Sequence, residues 1–214
     1  MSAVHKLFTS ALPRAARAYQ RYFVFTFILF VTCIVVGFTG YTPAADGSVP
    51  WALKGVADLT RRIENGALWS RALELFLNNL KAIALSIAFG WILGIVPLIS
   101  CGLNGVIIGM GAKMVMVRSG WSLGMVVLSF LPHGVLEIPA FIAGQAIGLR
   151  IGFLAPLVWR GRTGPDDLGR TIAESVTLLA FSIVPMLALA ALLELTLTPA
   201  VIRAISPGFP SVMP

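Results

Sequence analysis

His133 and Glu137 stand four residues apart in the apolar string Leu131-Pro132-His133-Gly134-Val135-Leu136-Glu137-Ile138-Pro139-Ala140, boxed by two prolines. On a helix this spacing projects an imidazole and a carboxylate from one face, close enough to touch. Pro139 disfavours helix at Ile138, so the pair could instead meet across a bend. In lipid, an ionisable side chain costs roughly several kcal/mol unless it is paired or faces water, which makes both residues functional candidates.

Three chemistries compete. In the first, Glu137 accepts hydrogen bonds from His133 or from backbone N–H groups freed near the prolines, and the pair fixes one register of packing. In the second, a carboxylate and an imidazole on a discontinuous helix serve a proton or ion pathway, with Asn78, Asn79 and Asn104 adding neutral coordinating groups. In the third, His-x-x-x-Glu supplies two ligands of a metal site or an intramembrane hydrolase. Catalytic zinc takes three protein ligands and an open position. The other histidine, His5, lies in the N-terminal arm, so the third ligand would be Cys101 or Glu194, neither at a recognisable spacing. No His-Glu-x-x-His motif is present. The sequence assigns no catalytic residue, no metal and no cofactor.

These residues must be carried by membrane-spanning helices. Of 214 residues, 57% are hydrophobic and only 12% are charged, and mean hydropathy is +0.90. Soluble domains carry about 25% charged residues. Membrane strands would alternate apolar and polar positions, whereas these runs are continuous and rich in Leu, Ala, Ile and Gly. The expected fold is an all-α polytopic transmembrane bundle of five or six spans, with a Pro-broken or re-entrant helix and an interfacial amphipathic helix. The net charge of +7 is not a nucleic-acid signal, because Lys and Arg sit at span ends without a basic, aromatic-interleaved stripe. Their place is at headgroup level. Cys33 and Cys101 both lie in apolar segments and define neither a disulfide framework nor a CxxC pair. The long basic N-terminal region and long apolar run argue against a cleaved signal near Thr42–Ala45.

Along the chain, residues 1–21 read as a basic cytoplasmic arm with Lys6, Arg14, Arg17 and Arg21 and no acid. Residues 22–200 read as one transmembrane domain and 201–214 as a C-terminal tail. The first span is expected at 22–38, followed by a Pro/Gly loop at 39–49. Over 50–77, Trp51, Val56, Leu59 and Ile63 recur near helical spacing against Lys54, Asp58, Arg61 and Arg62, as in a helix lying at the interface or packed on the bundle surface. A second span is expected at 80–99, with Asn78-Asn79 opening it as a cap. Asn104-Gly105 reads as a tight turn into a short third segment, 105–117. The tract 121–158 reads as two spans or a re-entrant hairpin broken at Pro132, Pro139 and Pro156. After a polar loop at 159–170, Thr171 with Glu174 matches a capping box opening a last span at 172–197, which Pro185 should kink. Glu194, near the end of that span, is expected to reach water. The arginines of the arm and of the 159–170 loop are both satisfied by an even number of crossings between them.

Glycines recur at every fourth position, as Gly90/Gly94, Gly105/Gly109, Gly120/Gly124 and Gly144/Gly148/Gly152. Helices gain little hydrophobic energy by associating in lipid, so close backbone approach through small residues carries the packing. The face running on from His133 and Glu137 is therefore expected at the bundle centre or at a dimer seam. A homodimer or a heteromeric membrane complex is the expected assembly.

Phe76-Leu77-Asn78-Asn79, the long apolar span after it, Leu103-Asn104-Gly105 and the Pro-His-Gly-x-x-Glu-x-Pro string at 132–139 together resemble the stage II sporulation protein M family, over roughly residues 70–195. The resemblance implies a small multi-pass protein of the cell membrane, not an enzyme, that scaffolds partner proteins. In spore formers those partners are peptidoglycan-remodelling enzymes. The alternative is a transporter or channel subunit for a proton, ion or small solute that uses Glu137 and His133.

Overall fold

The computed structural model describes residues 3–42, 48, 50–64 and 67–206. Every regular element among the described residues is helical. The expected C-terminal tail from residue 207, most of the 39–49 loop and the side chains of Trp51, Arg61, Arg62 and Ile63 lie outside the described residues.

Helix α1 (Ala3–Lys6) passes through a π turn (Leu7–Ala11) into α2 (Leu12–Gly40). The arm is thus no separate segment. Its helix runs into the first span, because the residues flanking the π turn keep right-handed helical dihedrals and the turn sits just before Pro13. Helix α3 (Trp51–Glu64) follows, then α4 (Leu68–Ala88) and α5 (Ile95–Ser119).

The second span does not run over 80–99. The chain turns at 89–94, where Leu93 (φ 51°) and Gly94 (φ 70°) take the left-handed conformation. Asn104-Gly105 is not a turn but lies inside α5. The Asn104 amide donates to the Ser100 carbonyl at 2.8 Å, one turn back, so it closes on the helix. Gly105 is small because α2 passes there, and a methyl group would stand 2.8 Å from the Phe30 carbonyl oxygen. Asn78 and Asn79 lie mid-helix in α4 rather than capping it.

Helix α6 (Leu123–Trp159) is continuous over 37 residues through Pro132, Pro139 and Pro156. The re-entrant or broken reading of 121–158 is therefore replaced by one long helix, about 55 Å at 1.5 Å per residue. Each proline deletes one backbone hydrogen bond, and packing on both sides holds the flanking turns in register. Ser122 caps its start, accepting from the Met125 N–H.

Helix α7 (Pro165–Leu178) begins well before the expected cap at Thr171, with Pro165 in its first position and Asp166 and Asp167 in its first turn. Thr171 is buried within it, and Glu174 pairs instead with Arg150 at 2.7 Å. A π turn (Leu179–Ile183) leads into α8 (Val184–Ile205) just before Pro185, the point at which a kink was expected.

Among the described residues, four helices are long and apolar enough to cross a membrane: Leu7–Gly40, Ile95–Ser119, Leu123–Trp159 and Pro165–Ile205. That is fewer than the five or six expected, because α4 carries Arg71, Glu74 and Lys81 within its 21 residues.

Contacts fix the directions. The Cys101 thiol meets the Thr26 carbonyl, and Gly109 lies against Ile34 and Phe38, so α2 and α5 run parallel. Tyr22 with Phe153 and Phe30 with Phe141 set α2 antiparallel to α6. Gly144 against Ile83 and Gly148 against Ser86 set α4 parallel to α6. The core holds Phe30, Ile83, Ile142, Ile147 and Leu187, all fully buried. Gly144, Gly148 and Gly152 face α4 and the 89–94 turn within this chain. A methyl on Gly148 would strike the Ser86 carbonyl, and one on Gly152 would strike Gly90 and Gly94.

Candidate functional site

Helix α6 places His133 and Glu137 one turn apart on a face toward α8 and α4. Helix α8 runs antiparallel to it and presents Glu194 and Thr198, also one turn apart. The two pairs meet. His133 Nδ1 lies 3.1 Å from Thr198 Oγ1. One ligand atom each from His133, Glu137 and Glu194 falls within a 4.8 Å cluster. Glu194 therefore does not reach water as expected, but turns inward against Glu137. The Phe130 ring packs edge-on to the imidazole, centroids 6.1 Å apart.

On the other side of Glu137, α4 and α5 close the site. Asn79 makes a side-chain polar contact with the Glu137 carboxyl. Asn78, Asn79, Asn104 and Glu137 line one cavity of about 60 Å³, walled by Phe30, Ile108 and Phe141. Such a cavity has room for one or two waters and for no organic solute. Glu137 lies roughly 20 Å along α6 from its start, at 1.5 Å per residue, with more than 20 residues of the helix beyond it.

Two carboxylates and an imidazole this close need a shared proton or a bound cation for balance. The cluster can hold a proton, accept a small cation, or tie three helices together through hydrogen bonds. His133, Glu137 and Glu194 make up the count of three ligands that a catalytic metal needs. Cys101, the other candidate third ligand, is elsewhere, donating to the Thr26 carbonyl at 3.4 Å.

Hydrolase chemistry finds less here. Thr198, His133 and a carboxylate stand in the order of a hydroxyl-nucleophile triad. But Thr198 is only 8% exposed, and the adjoining cavity is lined by Glu137 and not by Thr198. Gly120-Trp121-Ser122-Leu123-Gly124 has the Gly-x-Ser-x-Gly spacing of a nucleophile elbow, which requires a strand-to-helix turn. Here it joins two helices, and Ser122 caps the second.

Sequence reasoning passed over two polar features. Gln145, two turns beyond Glu137 on α6, is fully buried, and its amide has no hydrogen-bond partner among the described residues. Arg150 and Glu174 form a part-buried ion pair. Neither has a spacing that marks it in the sequence.

A family model described as stage II sporulation protein M matches residues 26–199. All residues of the cluster and of its cavity fall in that range. No curated protein and no solved structure matches the chain. The chain belongs to the stage II sporulation protein M family.

Proposed function

We propose that this member of the family is a non-enzymatic scaffold of the cell membrane, a rigid helical platform that holds partner proteins in place. The observation that carries this reading is the backbone-to-backbone fastening of the bundle. Gly37 on Val106, Gly109 on Ile34, Gly148 on Ser86 and Gly152 on Gly94 leave no room for a methyl group where α2 crosses α5, where α4 crosses α6 and where α6 meets the 89–94 turn. Helices fixed at that closeness present fixed surfaces. Outside the candidate spans and α4, the longest described element is α3, with 14 residues, too small for a catalytic domain. In this reading His133, Glu137, Glu194 and Asn79 form a polar latch that sets the register of α6 against α8 and α4.

The same reading gives a topology. Arg14 and Arg21 share a pocket with Arg150 and Arg170, so the arm and the 160–164 loop lie on one face of the membrane. The arginine bias makes that face cytoplasmic. Since α2 and α5 run parallel, α4 must return the chain between them. It is the fifth crossing, and the crossings between arm and loop become even in number.

The test is a mild-detergent pull-down of the tagged protein from its native membranes, with mass spectrometry. A near-stoichiometric partner bearing its own soluble catalytic domain is expected. A clean homo-oligomer with no partner would overturn the scaffold reading.

One observation favours a second reading, a proton or small-cation pathway. Glu137, Glu194 and His133 converge beside a polar cavity, with the unpartnered Gln145 further along the same helix. Flux into proteoliposomes that Glu137→Gln abolishes, with the fold intact, would establish it.

A further inference from the structure

At the end of the bundle that carries the N-terminal arm, a pocket of about 570 Å³ gathers Arg14 and Arg21 from α2, Arg150 from α6 and Arg170 from α7. We propose that it binds the phosphate of an anionic phospholipid headgroup.

Charge comes first. Two acids, Asp167 and Glu174, line the same pocket. Glu174 is taken by Arg150 at 2.7 Å, and Asp167 by Arg170 and by the Thr163 hydroxyl. Arg14 and Arg21 have no acidic partner among the described residues, so the pocket keeps an excess of positive charge. An anion of one or two charges balances it, and the planar guanidinium fork suits phosphate oxygens.

The guanidinium groups of Arg150 and Arg21 are also held in place. Arg150 stacks on the Tyr19 ring, 4.5 Å from its centroid. The Tyr19 hydroxyl is fastened in turn to the Thr171 carbonyl at 3.0 Å and to Ser175 Oγ at 2.7 Å. Arg21 lies over the Tyr22 ring at 4.9 Å. Side chains immobilised beforehand lose less entropy when a ligand arrives.

The remaining wall is apolar and opens to lipid. Tyr22 and Phe153 pack together, centroids 6.3 Å apart, and Phe153 is 56% exposed. A free phosphate gains nothing from that wall, whereas a lipid lays its acyl chains along it while its phosphate meets the arginines. Arg14 and Arg21 precede residue 26, where the family match begins, whereas Arg150 and Arg170 lie within it.

The experiment uses the full chain, delipidated in detergent and then offered phosphatidylglycerol, phosphatidylcholine or inorganic phosphate, with bound lipid counted by native mass spectrometry. Phosphatidylglycerol should be retained over phosphatidylcholine. Arg14→Gln with Arg21→Gln should lower that preference about fivefold or more, at the strength expected of surface arginines near anionic lipid. Arg203→Gln, at the far end of α8, should leave it unchanged. Arg170→Gln gives a second, independent loss should the double variant fail to fold. Equal retention of the two lipids would overturn the proposal. So would displacement of phosphatidylglycerol by millimolar inorganic phosphate, which would assign the pocket to a free anion.

Discussion

Glu137 on α6 and Glu194 on α8 bring carboxylate oxygens to within 4.8 Å of each other, and the His133 imidazole lies within the same reach. Two acids meet because α6 and α8 run antiparallel with i, i+4 pairs at the same depth. The juxtaposition makes the two residues one unit. A change at either must be read through the other.

Glu137→Gln keeps the shape of the side chain and replaces one facing carboxylate with a donor for Glu194. Thermal unfolding in detergent should move less than in the alanine variant, because an isosteric hydrogen-bonding group leaves no buried partner unsatisfied. Glu137→Ala leaves Glu194 and Asn79 without their partner and should cost about 1–3 kcal/mol. Equal loss in both variants would show that the charge itself holds the cluster.

Glycine substitutions should sort by what the new methyl group meets. Gly148→Ala and Gly152→Ala press on backbone and should each cost about 1–3 kcal/mol. Gly144→Ala meets Ile83 Cγ2 at 2.5 Å and its Cβ at 3.2 Å, a fully buried β-branched side chain gripped close to its backbone, and should cost a similar amount. Gly111→Ala faces open space and should be neutral or slightly stabilising. A fluorescence size-exclusion series over temperature measures all four.

Protein purified from zinc-replete cells is expected to be metal-free by elemental analysis, because Thr198 and Asn79 hold His133 and Glu137 and a proton shared with Glu194 balances the facing acids. One zinc per chain, lost in Glu194→Gln, would instead make His133, Glu137 and Glu194 a ligand set.

Single cysteines in a Cys33- and Cys101-free background test the topology. Ser10 and Gly161 should be labelled by an impermeant reagent from the same side, and Ser48 from the other. Labelling of Ser10 and Gly161 from opposite sides would remove α4 as a crossing.

Some members of the polar cluster can be named from the sequence. Asn78, Asn79, Asn104 and Glu137 stood out as polar groups in apolar surroundings, and they line one cavity. Burial in lipid is costly enough to mark such residues singly. Helix boundaries were less legible. Asn104-Gly105 signals a turn in water, but inside a membrane helix the amide closes on its own backbone and the glycine admits a neighbour. Prolines signal breaks, yet α6 runs through three of them.

The membrane class and the helical fold follow from composition and continuous apolar runs, which report directly on the solvent each segment prefers, and the family resemblance follows from the motifs at 76–79, 103–105 and 132–139. The partners of the polar residues come from helix packing. His133 and Thr198 are 65 residues apart in the chain, and Arg14 reaches the pocket of Arg170 only through the packing of α2 on α7. Such pairings depend on the register of one helix against another. That register is set by the glycine contacts and core side chains acting together, and no local pattern of residues encodes it.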